Sequence, residues 1–255
     1  MKKTFCVVFI LLFSRQVFAQ DDEADYTQIV KHAKTVVSLI INNKVNELAA
    51  LIEYPLVREY PLPDINDKEK FIKYYKKYFG TDLIEAVKKI KVTKDNIIYV
   101  PSEESYGINR GELWFSEKGK IVAINVMPAK EKTLQDSLAE NIRSKMHPSV
   151  TKWAYHVLDG KTDKVLIWVD DMPDGKSRYI AWNLPKKMSD KPDLIINDGT
   201  FHGTRWVSNY TFINKEWKYE LEIDTITDED DTKGYLTISK NGVEILTTKI
   251  KDTEK

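Results

Sequence analysis

Cysteine is almost missing from this chain: among 255 residues there is one, Cys6, and it lies in an apolar N-terminal run. Everything beyond residue 19 is therefore without disulfides, thiolate metal sites or a cysteine nucleophile. An excess of charge of one sign is missing as well. Lys and Arg total 39, as do Asp and Glu, and setting aside Lys2, Lys3 and Arg15 leaves 36 against 39. A net charge of about −3 attracts neither nucleic acid nor an anionic membrane. Histidine is scarce, with four in all. None is spaced with acids for nucleophilic catalysis, and His147, His156 and His202 show no metal-ligand spacing. No apolar run reaches the about 20 residues that a permanent membrane helix needs. Internal repeats and low-complexity tracts are absent too.

What the N-terminus does have is "MKKTFCVVFILLFSRQVFAQDD": two lysines, an apolar run from Phe5 to Phe13, and Val17-Phe18-Ala19. This pattern predicts a secretory signal peptide, residues 1–19, cleaved after Ala19. Cys6 lacks the Leu-x-x-Cys frame of a lipid-anchored N-terminus. Export without disulfides fits the periplasm or surface of a Gram-negative bacterium, with no membrane insertion after cleavage.

Past the signal the hydrophobic period changes along the chain. Ile29, Ala33, Val36, Val37 and Ile40 recur at helical spacing, a short helix follows over 45–52, and Asp67 can cap another, "KEKFIKYYKKYF", which Gly80 stops. Leu83, Ile84, Val87 and Ile90 mark a fourth helix. From there the period drops to two, through "NIIYV", "SYGINRGELWF" and "KIVAINVM". Residues 129–148 return to helical spacing through Leu134, Leu138, Ile142 and Met146 and read as a connector. Beyond Pro148 come short runs rich in β-branched and aromatic residues, set apart by Asp174-Gly175, Asp198-Gly199, Asn214-Lys215 and Asn241-Gly242. The clearest is "EWKYELEID", in which Trp217, Tyr219, Leu221 and Ile223 alternate with charged residues. The reading is of two domains, α+β over 20–128 and all-β over 149–255, the latter an antiparallel sandwich or barrel.

The stretch "NNKVNELAALIEYPLVREYPLPDINDKEKFIKYYKKYF", with its helix, proline-punctuated extended segment and aromatic helix before a sheet, resembles the NTF2-like superfamily, including SnoaL-like domains. The likeness spans roughly residues 26 to 127. It implies helices on a curved antiparallel sheet forming a cone, in which the segment around residue 55 is the first strand. That superfamily hosts enzymes, ligand carriers and interaction modules, so the resemblance assigns no reaction.

In "EYPLVREYPLPDI" an extended path puts Tyr54, Leu56, Arg58 and Tyr60 on one side. If that side lines a cone, Tyr54, Arg58 and Tyr60 form a pocket for an anionic or planar ligand. The plainer reading is that the tyrosines pack on helices and Arg58 pairs with an acid. The prolines end a helix and hold an edge strand. Asp64, Glu85, Glu104 and Glu112 are the acids at hand for a SnoaL-like acid/base enzyme, and none is singled out. "DDMPDG", 170–175, has Met172 and Pro173 where a calcium loop needs oxygen ligands, so it reads as a turn. Five of the six tryptophans fall in the β half, where exposed rings would suit sugar stacking but alternation points to core. The loop "NDGTFHGTRW", with Phe201, His202 and Arg205, is the candidate contact surface of the β domain. The expectation is an exported, non-catalytic binding or interaction protein for a small molecule or another protein. The alternatives are a SnoaL-like enzyme or a periplasmic inhibitor or immunity-type protein. No cofactor, metal or nucleic-acid partner is implied.

Overall fold

A computed structural model describes residues 18–101, 104–203, 207–224 and 232–253. Most of the expected signal peptide, residues 1–17, lies outside these, as do Arg205, Trp206 and the acidic run at 228–231. The chain divides into two compact units, one comprising residues up to Arg58 with Pro63–Lys132, the other Glu59–Leu62 with Thr133–Lys255. The second division point thus falls inside the 129–148 segment read as a connector. No helix among the described residues is long and apolar enough to cross a membrane.

In the first unit, α1 (Phe18–Ile41) buries the stripe Ile29, Ala33, Val36 and Ile40. Its partners are the short helices α2 (Val45–Leu51), α3 (Lys68–Tyr74) and α4 (Gly80–Val87). The carboxylate of Asp67 accepts the Lys70 N–H at 2.8 Å and caps α3, closing one of the free donors at a helix start. A π-helical turn, Tyr75–Phe79, runs on from α3 to Gly80, whose φ of 45° breaks the path before α4. Phe71, Phe79, Leu83 and Val87 then meet Ile108, Leu113, Phe115 and Ile121 of an antiparallel sheet in one core. That sheet is a meander, β1 (Ile97–Val100), β2 (Ser105–Ile108), β3 (Leu113–Ser116) and β4 (Ile121–Ile124).

This corrects the expected fold class. Each of the four strands is four residues long, about 13 Å, too short to curve into a cone. The proline-rich segment, expected as the first strand, contributes isolated bridges only, Ile52↔Ile121 and Leu56↔Ile65. The order of helices, proline-punctuated segment and sheet suggested a cone, and strand length and pairing overturn that cone.

The second unit is not a sandwich but a closed eight-stranded antiparallel barrel. Its strands are β5 (Tyr155–Lys161), β6 (Val165–Asp171), β7 (Ser177–Asn183), β8 (Leu194–Gly203), β9 (Val207–Asn214), β10 (Trp217–Asp224), β11 (Thr232–Lys240) and β12 (Val243–Lys251). Each pairs with its chain neighbour, and β12 returns to β5. Alternation is the same for a sandwich or a barrel; the tight turns between neighbours, such as Asn241-Gly242 with φ of 50° and 79°, make it a meander that can close. Asp198-Gly199 is not a turn. It lies within β8, with Asp198 at φ 62°, where the β7–β8 register slips between Ser177 and Tyr179, so its left-handed residue serves a bulge.

Leu158, Ile167, Val169, Tyr179, Phe212, Leu221, Leu236 and Ile250 fill the barrel, as side chains do in a cylinder of this strand number. Outside it, α5 (Ala129–Arg143) contributes Ala139 to a second layer with Met146, Val150, Trp153, Trp168, Ile180 and Trp182. That layer covers β6 and β7, whose central residues are buried on both faces.

Candidate functional site

Tyr54 and Arg58 belong to the first unit and Tyr60 to the second. Burial along the segment alternates as an extended path requires, with Leu56 and Arg58 buried and Val57 and Glu59 exposed. The Tyr54 hydroxyl donates to the Ala49 carbonyl at 3.0 Å, and burial pushes its pKa up to about 12. The Arg58 guanidinium is enclosed. Nε and Nη2 donate to the two carboxylate oxygens of Glu131 at 2.8 and 2.7 Å, Nη1 donates to the Ile124 carbonyl, and Nη2 reaches the Val126 carbonyl at 3.3 Å. Glu131 is wholly buried and also accepts the Tyr74 hydroxyl at 2.8 Å. Burial first, then that bond to Glu131, pushes the Tyr74 phenol well above its usual range. Such a bidentate, fully partnered pair holds segments far apart in sequence in a single register.

Tyr60 stands in an aromatic cluster of the second unit. Its ring meets His156 edge-on at 3.7 Å and lies 6.5 Å from Trp153 and 6.3 Å from Trp168. The His156 ring lies flat on Trp168, 4.2 Å away and 5° from parallel, and its Nε2 meets Asp159 Oδ1 at 3.0 Å. Burial pushes the imidazole down to about 4, against the pull of Asp159. Asp159 also accepts from Thr253 at 3.1 Å, with Lys233 at 3.5 Å. Behind Trp168 lies a second enclosed ion pair. Asp170 accepts Arg178 Nε and Nη2 at 3.0 and 2.7 Å and the Trp168 indole N–H at 2.8 Å. Burial raises the Asp170 pKa while Arg178 and the indole favour its ionised form. Arg178 further donates to the carbonyls of Val150 and Lys152.

The barrel's outer wall over β8–β12 is different. Register sets His202 opposite Asn209, Asn209 opposite Glu222, and Glu222 opposite Tyr235. A second row runs Thr200, Thr211, Glu220, Thr237 and Thr247. These positions alternate with the inward Tyr210, Phe212, Leu221 and Leu236, so both rows face out. Asn209, Thr211, Glu220, Glu222, Tyr235, Thr237 and Thr247 line a shallow open depression of about 340 Å³. Thr237 and Thr247 hydroxyls hydrogen-bond at 3.0 Å, and the Glu220 carboxylate takes Lys218 at 2.6 Å.

His202 therefore sits at the end of the first row, while its neighbour Phe201 is half exposed and packs at 5.1 Å on Tyr210. Trp168 and Trp182 are buried in the covered layer and offer no stacking platform. Trp217, expected in the core, is half-buried at the rim with the Lys240 ammonium 4.8 Å from its ring. Among the described residues no cluster of three or more His, Cys, Asp or Glu side chains converges to hold a metal.

Glu131, Asp170 and His156 with Asp159 carried no signal in the sequence. Alternation along β9–β11 was the usable signal for the outer rows, since Asn209 and Thr211, Glu220 and Glu222, and Tyr235 and Thr237 alternate with core residues. Ile213 on the same face is apolar and exposed, and the pairing that aligns the rows was not readable. Comparison with family models, curated proteins and solved structures finds no match to this chain.

Proposed function

We propose that the chain is an exported, non-catalytic binding protein whose contact surface is the barrel's outer wall over β8–β12. The observation that carries this is the depression lined by Asn209, Glu222 and Tyr235 beside the threonine row. An amide, carboxylates, hydroxyls and one phenol ring within a single open surface suit a ligand rich in hydroxyl groups, such as an envelope glycan, bound by hydrogen bonds and ring stacking. The ionisable groups elsewhere support the same reading. Arg58 with Glu131, Arg178 with Asp170, and His156 with Asp159 each close on partners inside their own unit.

The test is an NMR titration of the isotope-labelled protein with maltotetraose and with an N-acetylglucosamine tetramer at millimolar concentration. Amide shifts confined to β8–β11, lost in Glu222→Ala and Tyr235→Ala at unchanged melting temperature, are expected for one of them. Shifts absent with both, or centred on Tyr54 and Arg58, would falsify this placement.

A further inference from the structure

We infer that the turn Glu59–Leu62 is an acid-released plug: protonation of His156 lifts Tyr60 out of the aromatic layer of the second unit and admits water to the imidazole. The turn is closed by the Leu62 N–H on the Glu59 carbonyl at 3.0 Å. Its four residues belong to the second unit, yet both of its ends continue into residues of the first. Tyr60 therefore stands on no strand or helix, unlike Trp168 on β6. What holds it is its seat. The ring lies against His156, Trp153 and Trp168, and the Tyr60 carbonyl accepts the side-chain amide of the buried Gln135 at 3.1 Å.

The His156 side chain is 4% exposed. Trp168, which covers one face of the ring, is itself buried in a strand, whereas Tyr60 is half-buried on a turn and is the cover that moves at least cost. Nε2 faces the Asp159 carboxylate at 3.0 Å and so carries the proton of the neutral ring. A second proton goes to Nδ1, where the Val169 carbonyl lies 3.4 Å away, a long contact that replaces little of the hydration a cation needs. The surrounding charges do not make up the difference. Asp159 favours the imidazolium but is shared with Lys233, which also meets Asp252, and with Thr253. Asp170, opposite His156 in the β5–β6 register, is held by Arg178. Arg143 lies over Trp153, and Glu59 on the turn is exposed. Burial outweighs Asp159 and holds the seated ring near 4, whereas a ring reached by water titrates at about 6.5. Lifting Tyr60 thus becomes about tenfold easier for each pH unit between those values.

The experiment titrates the His156 ring by NMR in the isotope-labelled full chain, with thermal melting as the check on fold. In Tyr60→Ala the ring should titrate higher than in the unaltered protein by about one pH unit or more, a tenfold gain in proton affinity. Tyr60→Phe, which keeps a ring in the seat, should hold the lower value. A second measurement needs no change at Tyr60. Exchange of the Leu62 amide, corrected for its intrinsic pH dependence, should quicken by about tenfold or more between about pH 6.5 and 4.5. The amides of β6 and β7 should stay protected over that range, and His156→Phe should abolish the acceleration. A His156 titration unmoved by Tyr60→Ala overturns the proposal. So does acceleration that persists in His156→Phe, or loss of protection in β6 and β7 together with the turn, which is unfolding rather than release. Neither measurement involves a saccharide, so the plug and the glycan surface stand or fall separately.

Discussion

Two walls of one barrel are built differently. Along β6 and β7 both faces are covered, so Ser177 to Trp182 are all buried. Across β8–β12 the inner face carries the same kind of core, while the outer face is open and largely polar apart from the exposed Ile213, and the first half of β12 is exposed throughout. The covered wall takes its second layer from α5 and the segment around Val150, which bring Ala139, Val150 and Trp153 onto Trp168 and Trp182. The covered wall has the continuous apolar runs of a strand buried on both faces, and the open wall the alternation of one buried on a single face. The second buried layer lies on the first, and the exposed hydroxyls and carboxylates lie on the second.

Breaking the covered wall at its ion pair should have the largest effect. Arg178→Leu leaves the Asp170 carboxylate buried with the Trp168 indole as its remaining side-chain donor. The expected loss is about 3–5 kcal/mol, read as a lower urea midpoint at unchanged slope. The double replacement Arg178→Leu with Asp170→Leu should recover most of it, because the cost lies in the orphaned charge. Equal losses in the single and double variants would mean that the pair acts through shape alone.

The next effect depends on pH. His156 has a folded pKa near 4, against about 6.5 in the unfolded chain. Between those values the unfolded chain binds the extra proton, so the stabilisation is complete above pH about 6.5 and is lost as pH falls toward 4. Its full extent is on the order of 3 kcal/mol. His156→Phe, which keeps a ring on Trp168 and Tyr60, should flatten the stability profile across that window. An unchanged slope in the variant would assign the effect to another group.

A smaller loss is expected inside the barrel. A Cβ at Gly199 would lie 2.2 Å from Cε1 of Phe212, so Gly199→Ala should cost about 1–3 kcal/mol through overpacking. Chemical denaturation would measure it, and Phe212→Leu should relieve part of the cost.

Gly199 also shows why the fold was only partly legible. Asp-Gly before a polar run is as good a signal for a hairpin as for a bulge, because both need a left-handed residue. The decision between them rests on Phe212, thirteen positions on, filling the space that glycine leaves. Local patterns behaved better. The stripe Ile29, Ala33, Val36, Ile40, the Asp67 cap and the alternation of β10 all follow from neighbours within a few residues. The cone was inferred from the order of helices, proline-punctuated segment and sheet, and no local pattern states strand length or closure. The polar groups divide in the same way. Arg58 reaches Glu131 across 73 residues, a pairing without a periodic signature, whereas the outward face of β9–β11 was implicit in the alternation of polar and apolar side chains.

The smallest effect on stability is expected on the open wall, and the comparison depends on its being small. Glu222 and Thr237 face out on β10 and β11, and neither supports the layer around Trp168. Glu222→Ala and Thr237→Val should each change stability by less than about 0.5 kcal/mol, as surface substitutions away from caps and buried networks do. Their urea midpoints should therefore match that of the unaltered chain while the saccharide-dependent amide shifts disappear. If either substitution instead lowered the midpoint as far as Gly199→Ala does, the outer rows would be part of what holds the barrel shut. The division between a wall that stabilises and a wall that binds would then fail, because an array of threonines and carboxylates required for closure is accounted for without a ligand.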